Sequence, residues 1–262
     1  MSAIILNQSM VHYEALGRGR PIVFLHGWVG SWRYWISSMQ VASTSYRAYA
    51  LDLYGYGDTS HDPLHYSLDK QAALLSGFLD ELGIGKIAIV GHGLGALVGF
   101  YFAAQQPGSV DRIMAVSCPL DFNSIHTRLK SSDPSELVDW LSNRSPESLS
   151  ALSDASKADQ RAVAASMASF QSDSLFSQFH SSNVPCLLVY GQNDVAMRVP
   201  EVEETENYGL HMHQITLEDS GHFPMMDDTA TFNRLLTDFL ALESGLSPRE
   251  LQLKEEWKRR VR

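Results

Sequence analysis

The chain has 262 residues, 44% of them hydrophobic and 19% charged, which excludes a disordered, collagenous or coiled-coil protein and fits one α/β domain with an insertion. Twenty basic against 30 acidic residues give a formal net charge of −10, which repels phosphate backbones, so nucleic acid is not an expected partner. The two cysteines, Cys118 and Cys186, are too few for a disulfide scaffold, which favours a reducing, cytoplasmic location.

Short β-rich runs alternate along the chain with segments of helical period, which predicts parallel strands joined by helical crossovers. A hairpin is predicted first, from residues 3–7 and 10–14. Six strands are predicted after it, at residues 22–25, 46–53, 86–90, 110–117, 185–190 and 213–217. Between the second and third of these, Leu68, Leu75, Leu79 and Leu82 indicate one face of a helix that ends at Gly83.

The alternation breaks between residues 122 and 180, where 15 of 59 residues are serine and no strand-like run occurs. Asp133-Pro134 and Ser145-Pro146 each pair a capping side chain with a proline suited to the first helical turn. Apolar residues for a buried face are Leu137, Trp140, Leu141, Val163, Met167 and Phe170. These features predict a helical cap at 119–182, inserted between core segments 1–118 and 183–245; the alternative is a disordered serine-rich linker.

The last segment, 246–262, is predicted to be a basic amphipathic helix. It begins with a capping box at Ser247 and Glu250 and continues with Leu253, Trp257 and Val261 at helical spacing. Such a helix would dock on its own acidic domain, mediate self-association or contact a membrane surface. No transmembrane segment is expected, because the longest nearly apolar stretch, residues 94–104, is about half of what a bilayer requires.

A glycine-rich turn follows the strand predicted at 86–90. Read as G-x-G-x-x-A, its Gly91, Gly93 and Ala96 match a dinucleotide fingerprint, but the acidic residue that follows, Asp111, stands at the beginning of its strand and not at its end. Read as G-x-Nu-x-G, the turn is a nucleophile elbow, a sharp bend that presents one side chain above the sheet. The second interpretation is favoured.

Three further motifs follow predicted strands in an order that supports the elbow. His26-Gly27-Trp28 comes after the strand at 22–25, Asp194 after that at 185–190, and His222 after that at 213–217. The turn from Asp52 to Gly57 also has the form D-x-x-G-x-G. Because the carboxyl ends of parallel strands share one edge of a sheet, these residues are expected to meet there.

With these motifs the chain, from about residue 3 to 242, resembles the α/β-hydrolase fold superfamily, in its branch of small capped esterases and C–C bond hydrolases. The resemblance implies a mostly parallel eight-stranded sheet flanked by helices, with Asp194 and His222 as acid and histidine of a catalytic triad. It also implies an oxyanion hole built from the N–H groups of Trp28 and Leu94. The nucleophile position, however, is held by Gly93. The same glycine excludes the mechanism of the aspartate-nucleophile epoxide hydrolases and haloalkane dehalogenases.

Three functions remain open. In the first and favoured hypothesis, His222 and Asp194 act as a general base on a small, partly apolar ester- or carbonyl-type ligand. In the second, the chain is a glycine form of a serine esterase-like hydrolase, and in the third it is a ligand-binding or sensing protein without turnover.

The remaining assignments concern the surroundings of the site. Gly27, Trp32 and Phe223 are predicted to line the ligand pocket, and His92 is interpreted as structural. Cys118 is a weak candidate for a substitute nucleophile, because no base is evident beside it. No cofactor or metal is expected, since the spacing of His211 and His213 offers no third ligand.

Overall fold

One sheet forms the centre of the molecule, for which a computed structural model describes residues 2–201, 204 and 209–253. Its strands are β1 (Ser2–Leu6), β2 (Ser9–Gly17), β3 (Arg20–Leu25), β4 (Tyr46–Leu51), β5 (Ile87–His92), β6 (Val110–Val116), β7 (Cys186–Gly191) and β8 (Met212–Leu217). Their spatial order is β1-β2-β4-β3-β5-β6-β7-β8. The pairs β1–β2 and β2–β4 are antiparallel and all others parallel, which confirms the predicted eight-stranded, mostly parallel sheet.

The strand sequences explain the arrangement. The predicted hairpin turns at Asn7 and Gln8, whose φ angles of 48° and 68° suit the tight turn of two antiparallel strands. In contrast, β5 and β7 are buried along their whole length and consist of continuous apolar runs, as is typical of parallel strands covered on both faces.

Some helices pack against the sheet, and others lie in the segment between β6 and β7. The helices are α1 (Ile36–Ala42), α2 (Leu68–Glu81), α3 (Leu94–Gln105), α4 (Thr127–Ser131), α5 (Pro134–Leu141), α6 (Pro146–Ala151), α7 (Gln160–Ala168), α8 (Ser172–Ser182), Pro224–Asp227 and Thr229–Leu240. Short 3₁₀ helices lie at Trp32–Trp35, Pro63–His65, Pro107–Ser109, Phe122–Ser124, Ser153–Lys157 and Pro248–Leu253. Helix α3 packs between α2 and α8, and α1 packs against Thr229–Leu240.

The predicted helix before Gly83 is α2. Leu68, Leu75 and Leu79 are buried as expected, whereas Leu82 is 37% exposed, because the helix ends at Glu81 and the chain turns at Leu82. Gly83 has a φ of 63°, which completes a left-handed cap in which the N–H of Ile84 donates to the Leu79 carbonyl at 2.8 Å.

Between β6 and β7 the chain forms α4 to α8, which we call the helical insertion (119–182). The Asp133 carboxylate accepts from the N–H of Ser135 at 2.9 Å, and the Ser145 hydroxyl accepts from the N–H of Ser148 at 3.1 Å, so both predicted helix starts are capped as expected. The predicted apolar face is buried except for Trp140, which is half-buried. The order and burial of these helices argue against a disordered linker.

The last helix of the insertion contacts the sheet domain. Phe176 and Phe179 of α8 place their rings 5.3 and 4.5 Å from that of Phe100 in α3. Thus α8 lies beside α3 as a crossover helix of the sheet, although it falls within the range predicted as cap.

The beginning of the tail is described, and its remainder is not. The Ser247 hydroxyl accepts from the N–H of Arg249 at 3.2 Å, and Leu251 is buried. The predicted apolar face of Leu253, Trp257 and Val261 lies outside the described side chains. In the part of the chain that the structure describes, no helix is both long and apolar enough to cross a membrane.

Candidate active site

The turn between β5 and α3 has the geometry of a sharp elbow. Gly93 adopts φ 48° and ψ −108°, a conformation that side-chain-bearing residues rarely accept. Its neighbours must be small, because a Cβ on Gly91 would lie 2.5 Å from the Ala96 nitrogen and one on Gly95 would lie 2.3 Å from the Leu25 carbonyl oxygen. The glycines therefore permit the close approach of the strand, the turn and the helix.

Asp194 and His222 form a buried pair at the same edge of the sheet. Asp194 follows β7, His222 follows β8, and the imidazole Nδ1 lies 2.9 Å from Asp194 Oδ2 and 3.1 Å from Oδ1. Asp194 Oδ1 also accepts from the N–H groups of Ala196 and Met197 at 2.8 and 3.0 Å. Burial alone would raise the pKa of Asp194, but the imidazole and these two N–H groups outweigh it and lower this pKa.

The ionised carboxylate fixes the tautomer of His222. A carboxylate only accepts hydrogen bonds, so the proton between the two residues is carried by Nδ1 of His222. Nε2 is then free to accept a proton, as a general base must. The imidazole ring lies 4.7 Å from the ring of His92, the residue before Gly93, so the pair stands next to the elbow.

His92, interpreted from the sequence as structural, joins three loops of the site. Its Nε2 donates to the His222 carbonyl oxygen at 2.9 Å, so its Nδ1 is unprotonated and accepts from the Tyr34 hydroxyl at 3.1 Å. The same hydroxyl oxygen accepts from the Gly27 N–H. Burial and the neighbouring His222 hold the pKa of His92 well below its usual value, which keeps the ring neutral. Tyr34, in the aromatic run Trp32–Trp35 soon after the His26-Gly27 motif, was missed by sequence reasoning.

The predicted oxyanion-hole residues flank the elbow. Leu94 is the first residue of α3, whose initial N–H groups have no partner within the helix. Trp28 follows Gly27, whose Cα lies 3.7 Å from the place of a Cβ on Gly93. The structure thus brings both backbone segments beside Gly93.

The predicted pocket residues separate into two places. The ring of Phe223 is fully buried and lies 5.0 Å from that of His222 and 5.6 Å from that of Tyr34, so it supports the histidine. Trp32 instead lies beside the Asp52 turn, where its N–H donates to Asp52 Oδ1 at 2.9 Å. Gly27 remains at the elbow.

The Asp52 carboxylate holds its own turn together. Its Oδ2 lies 2.8 Å from Nδ1 of His12 and accepts from the N–H of Asp58 at 3.1 Å. His12, Asp52 and Asp58 are also the one group of three candidate metal ligands among the described residues, with ligand atoms within 4.8 Å of one another. Because Asp52 already binds His12 and the Asp58 N–H, and the Asp58 carboxylate accepts from Lys157 at 2.8 Å, these hydrogen bonds explain the cluster without an ion.

Cys118 has the properties of an inert thiol. It is buried, and its Sγ lies 3.6 Å from the Pro119 carbonyl oxygen. Burial, with a smaller effect of the nearby Cys186, raises its pKa well above the ordinary value. A protonated thiol is a poor nucleophile, which argues against Cys118 as a substitute for the nucleophilic side chain that Gly93 lacks.

A cleft of ≈ 370 Å³ opens between α1, α6 and the helix Pro224–Asp227. Its lining combines apolar and polar side chains, among them Tyr34, Ser148, Met225 and Met226. Tyr34 therefore has the cleft on one side and the His92 network on the other.

Comparison with known proteins decides the family. The sequence profile of the Alpha/beta hydrolase family matches residues 22–235. The chain belongs to this family. Human epoxide hydrolase 4 is 25% identical over 282 residues, which cover 89% of this chain and 76% of that protein. Three epoxide hydrolases of Siraitia grosvenorii match over shorter stretches, 35–38% of their length.

Solved structures agree on the fold. The enol-lactonase from Burkholderia xenovorans LB400 superposes with a TM-score of 0.77 at 17% identity, covering 92% of this chain and 100% of that one. The N-acyl homoserine lactonase AidH, in a serine-to-glycine mutant complexed with N-hexanoyl homoserine lactone, gives a TM-score of 0.80 at 19% identity, with coverages of 91% and 96%. At these identities the likeness establishes the fold alone.

Proposed function

We propose that this hydrolase-family protein acts on a small, partly apolar ester or lactone by activating water instead of a side-chain nucleophile. The observation that carries the proposal is the buried His222–Asp194 pair, at 2.9 Å, beside an elbow whose own residue is Gly93. The family resemblance assigns the base to His222, its orientation to Asp194, and the oxyanion hole to the N–H groups of Trp28 and Leu94.

The reaction follows from these positions. Nε2 of His222 takes a proton from water while the water oxygen bonds to the carbonyl carbon, and the carbonyl oxygen becomes an oxyanion held by the two N–H groups. Collapse of this intermediate breaks the bond to the alcohol oxygen, which receives the proton from the imidazolium. The products are the carboxylic acid and the alcohol, or the hydroxy acid from a lactone.

The expected rate is low. General-base catalysis contributes about 10²–10⁴-fold, whereas loss of a triad serine costs about 10⁶-fold in kcat and leaves ~10³–10⁴-fold over water from the oxyanion hole and binding. Water activated by His222 therefore supports slow turnover.

Opening of an epoxide is the second candidate, because several relatives are named epoxide hydrolases. Position 93 offers no carboxylate to attack the epoxide carbon. Only the same activated water could open the ring, so this candidate depends on His222 as well. Turnover measured on a panel of epoxides and on a panel of esters distinguishes the two candidate functions.

The helical insertion is proposed to be the cap over this site. Ser166 of α7 accepts a hydrogen bond from the Trp28 indole at 3.0 Å, and Trp28 borders the elbow. The cleft beside Tyr34 does not include Gly93 or His222 in its lining, but its methionines and serines have the mixed character of a site for a partly apolar ligand.

The test compares the chain with Gly93→Ser and Gly93→Ala. Gly93→Ser is expected to react with serine-directed phosphonates and to hydrolyse activated esters at least ~10²-fold faster, because the proposed base and oxyanion-hole groups lie beside residue 93. Gly93→Ala adds the same Cβ without a hydroxyl and controls for structural effects. A folded Gly93→Ser protein that stays inert would refute the hydrolase site and favour a ligand-binding protein.

A further inference from the structure

The indole of Trp28 occupies the space above Gly93. Its Cε3 and Cζ3 atoms lie 3.3 Å from the place where a Cβ on residue 93 would stand. The whole surroundings are closed as well, since Trp28 and His222 are only 2% and 3% exposed and Leu94 is fully buried. A ligand reaches this point only if something moves.

Among the described residues, one side-chain hydrogen bond joins packing in the core to hold the indole in this place. Nε1 of Trp28 donates to the hydroxyl oxygen of Ser166 at 3.0 Å, across 138 residues of sequence. The Ser166 hydroxyl itself donates to the Val163 carbonyl at 3.0 Å, so towards Trp28 it acts only as an acceptor.

Moving the helical insertion would break more hydrogen bonds than moving the indole. Asp154 of the insertion accepts from Ser31 at 3.0 Å and from Arg33 at 2.6 Å. Further bonds to the core, all at 2.8 Å, join Lys157 to Asp58, Tyr66 to Asp159, and the Asp159 N–H to the Gly55 carbonyl. Lifting the insertion breaks all five, whereas rotating the indole breaks one.

We propose that Trp28 is the specificity-determining gate of the site, and that the group which takes its place is a planar apolar ring carrying an N–H or O–H donor. The vacated space has the shape of an indole, and Ser166 presents an acceptor at its far end. This inference rests on the proposed function for the identity of the site, and it adds the class of ligand: an aryl ester or lactone with a donor on the ring.

The first experiment removes the Trp28 ring and offers the protein a free molecule of the same shape. Trp28→Ala is titrated with indole and with indene, which has the same shape without the N–H. Trp35→Ala is the matched control, because Trp35 is equally buried but its Nε1 has no hydrogen-bond partner in the described part of the chain. We expect Trp28→Ala to bind indole about 3- to 10-fold more tightly than indene, and Trp35→Ala to show no preference for indole.

The second experiment tests opening without removing the ring. In a Gly93→Ser background, Ser166→Ala and Trp28→Phe each break the hydrogen bond, so each should accelerate phosphonate labelling about 3- to 10-fold. The double variant should be no faster than either alone, since both remove the same bond. These two substitutions also serve where Trp28→Ala fails to fold.

The outcomes separate the gate from the proposed function. If Trp28→Ala binds indole with the same ratio to indene as Trp35→Ala does, or if Ser166→Ala leaves the labelling rate unchanged, the gate is refuted. If Gly93→Ser is never labelled while Trp28→Ala retains its preference for indole, the binding space stands and the hydrolase function fails.

Discussion

Gly93→Ser is expected to lose stability while it gains reactivity. The φ of 48° and ψ of −108° at this position impose a strain of about 1–3 kcal/mol on a residue with a Cβ. The new Cβ would also lie 3.3 Å from two atoms of the Trp28 ring, so the indole must shift by a few tenths of an ångström. Such overpacking costs on the order of 1 kcal/mol.

Two effects oppose this loss. Removing a glycine reduces the freedom of the unfolded chain, which stabilises the fold by about 0.4–1 kcal/mol. A hydrogen bond from the serine hydroxyl to His222 adds about 0.5–1.5 kcal/mol. Strain and crowding together exceed these gains, so we expect Gly93→Ser to be about 1–2 kcal/mol less stable and Gly93→Ala, which lacks the hydroxyl, about 2–3 kcal/mol less stable.

Urea unfolding of the three proteins measures these differences. Gly83→Ala is the matched control for strain, because Gly83 has a similar φ of 63° and no heavy atom within 4 Å of its added Cβ. We expect it to lose about 1 kcal/mol. Equal or greater stability of Gly93→Ser would mean that residue 93 does not hold the strained conformation, and would refute the assignment of the elbow.

Three other predictions concern the base, the Tyr34 network and acid stability. His222→Ala should abolish any turnover and Asp194→Asn should reduce it about 10⁴-fold, as steady-state ester hydrolysis would measure; an unchanged rate in His222→Ala excludes this base. Tyr34→Phe leaves the Gly27 N–H and His92 Nδ1 without their partner and should cost about 1–3 kcal/mol in urea unfolding, whereas no loss would contradict the network. Burial and then Arg249 lower the pKa of His213 to about 4, so the unfolded chain takes up a proton below pH 6.5 that the folded chain does not, and stability should fall by up to about 3 kcal/mol between pH 6.5 and 4. Lowered pKa values of His26 and His92 act in the same direction and the raised value of His12 acts against it, so His213→Gln should remove a part of the loss and no more.

The fold could be predicted because its signals are local. Continuous apolar runs such as β5 and β7 indicate buried parallel strands, and the caps at Asp133 and Ser145 act within three residues. The candidate site followed from topology, since Gly93, Asp194 and His222 lie within a few residues of the ends of strands that share one edge of the sheet.

The remaining contacts of the site join residues that are far apart in sequence, and the spacing of motifs does not reveal them. Trp28 meets Ser166 across 138 residues and Tyr34 meets His92 across 58, and neither pair belongs to a recognisable motif. Trp32 was predicted to line the pocket, but its ring lies 5.9 Å from that of His12 and its backbone N–H donates to Asp52. Nothing in the local sequence shows whether Trp32 faces the ligand pocket or the Asp52 turn.

The same contacts explain why a glycine at position 93 is stable here. Without a Cβ the elbow avoids its strain, and the Trp28 indole gains close contact with the turn and a bond to Ser166. A chain that had lost all use for the site would have no physical need for a carboxylate buried beside His222, because a buried carboxylate is costly to maintain unless it is fully hydrogen-bonded. Asp194 is so bonded, by His222 and by two backbone N–H groups. Asp194→Asn in the otherwise unaltered chain therefore separates the two roles of the pair: a loss of turnover with stability retained assigns it to catalysis, and a loss of stability alone assigns it to the fold.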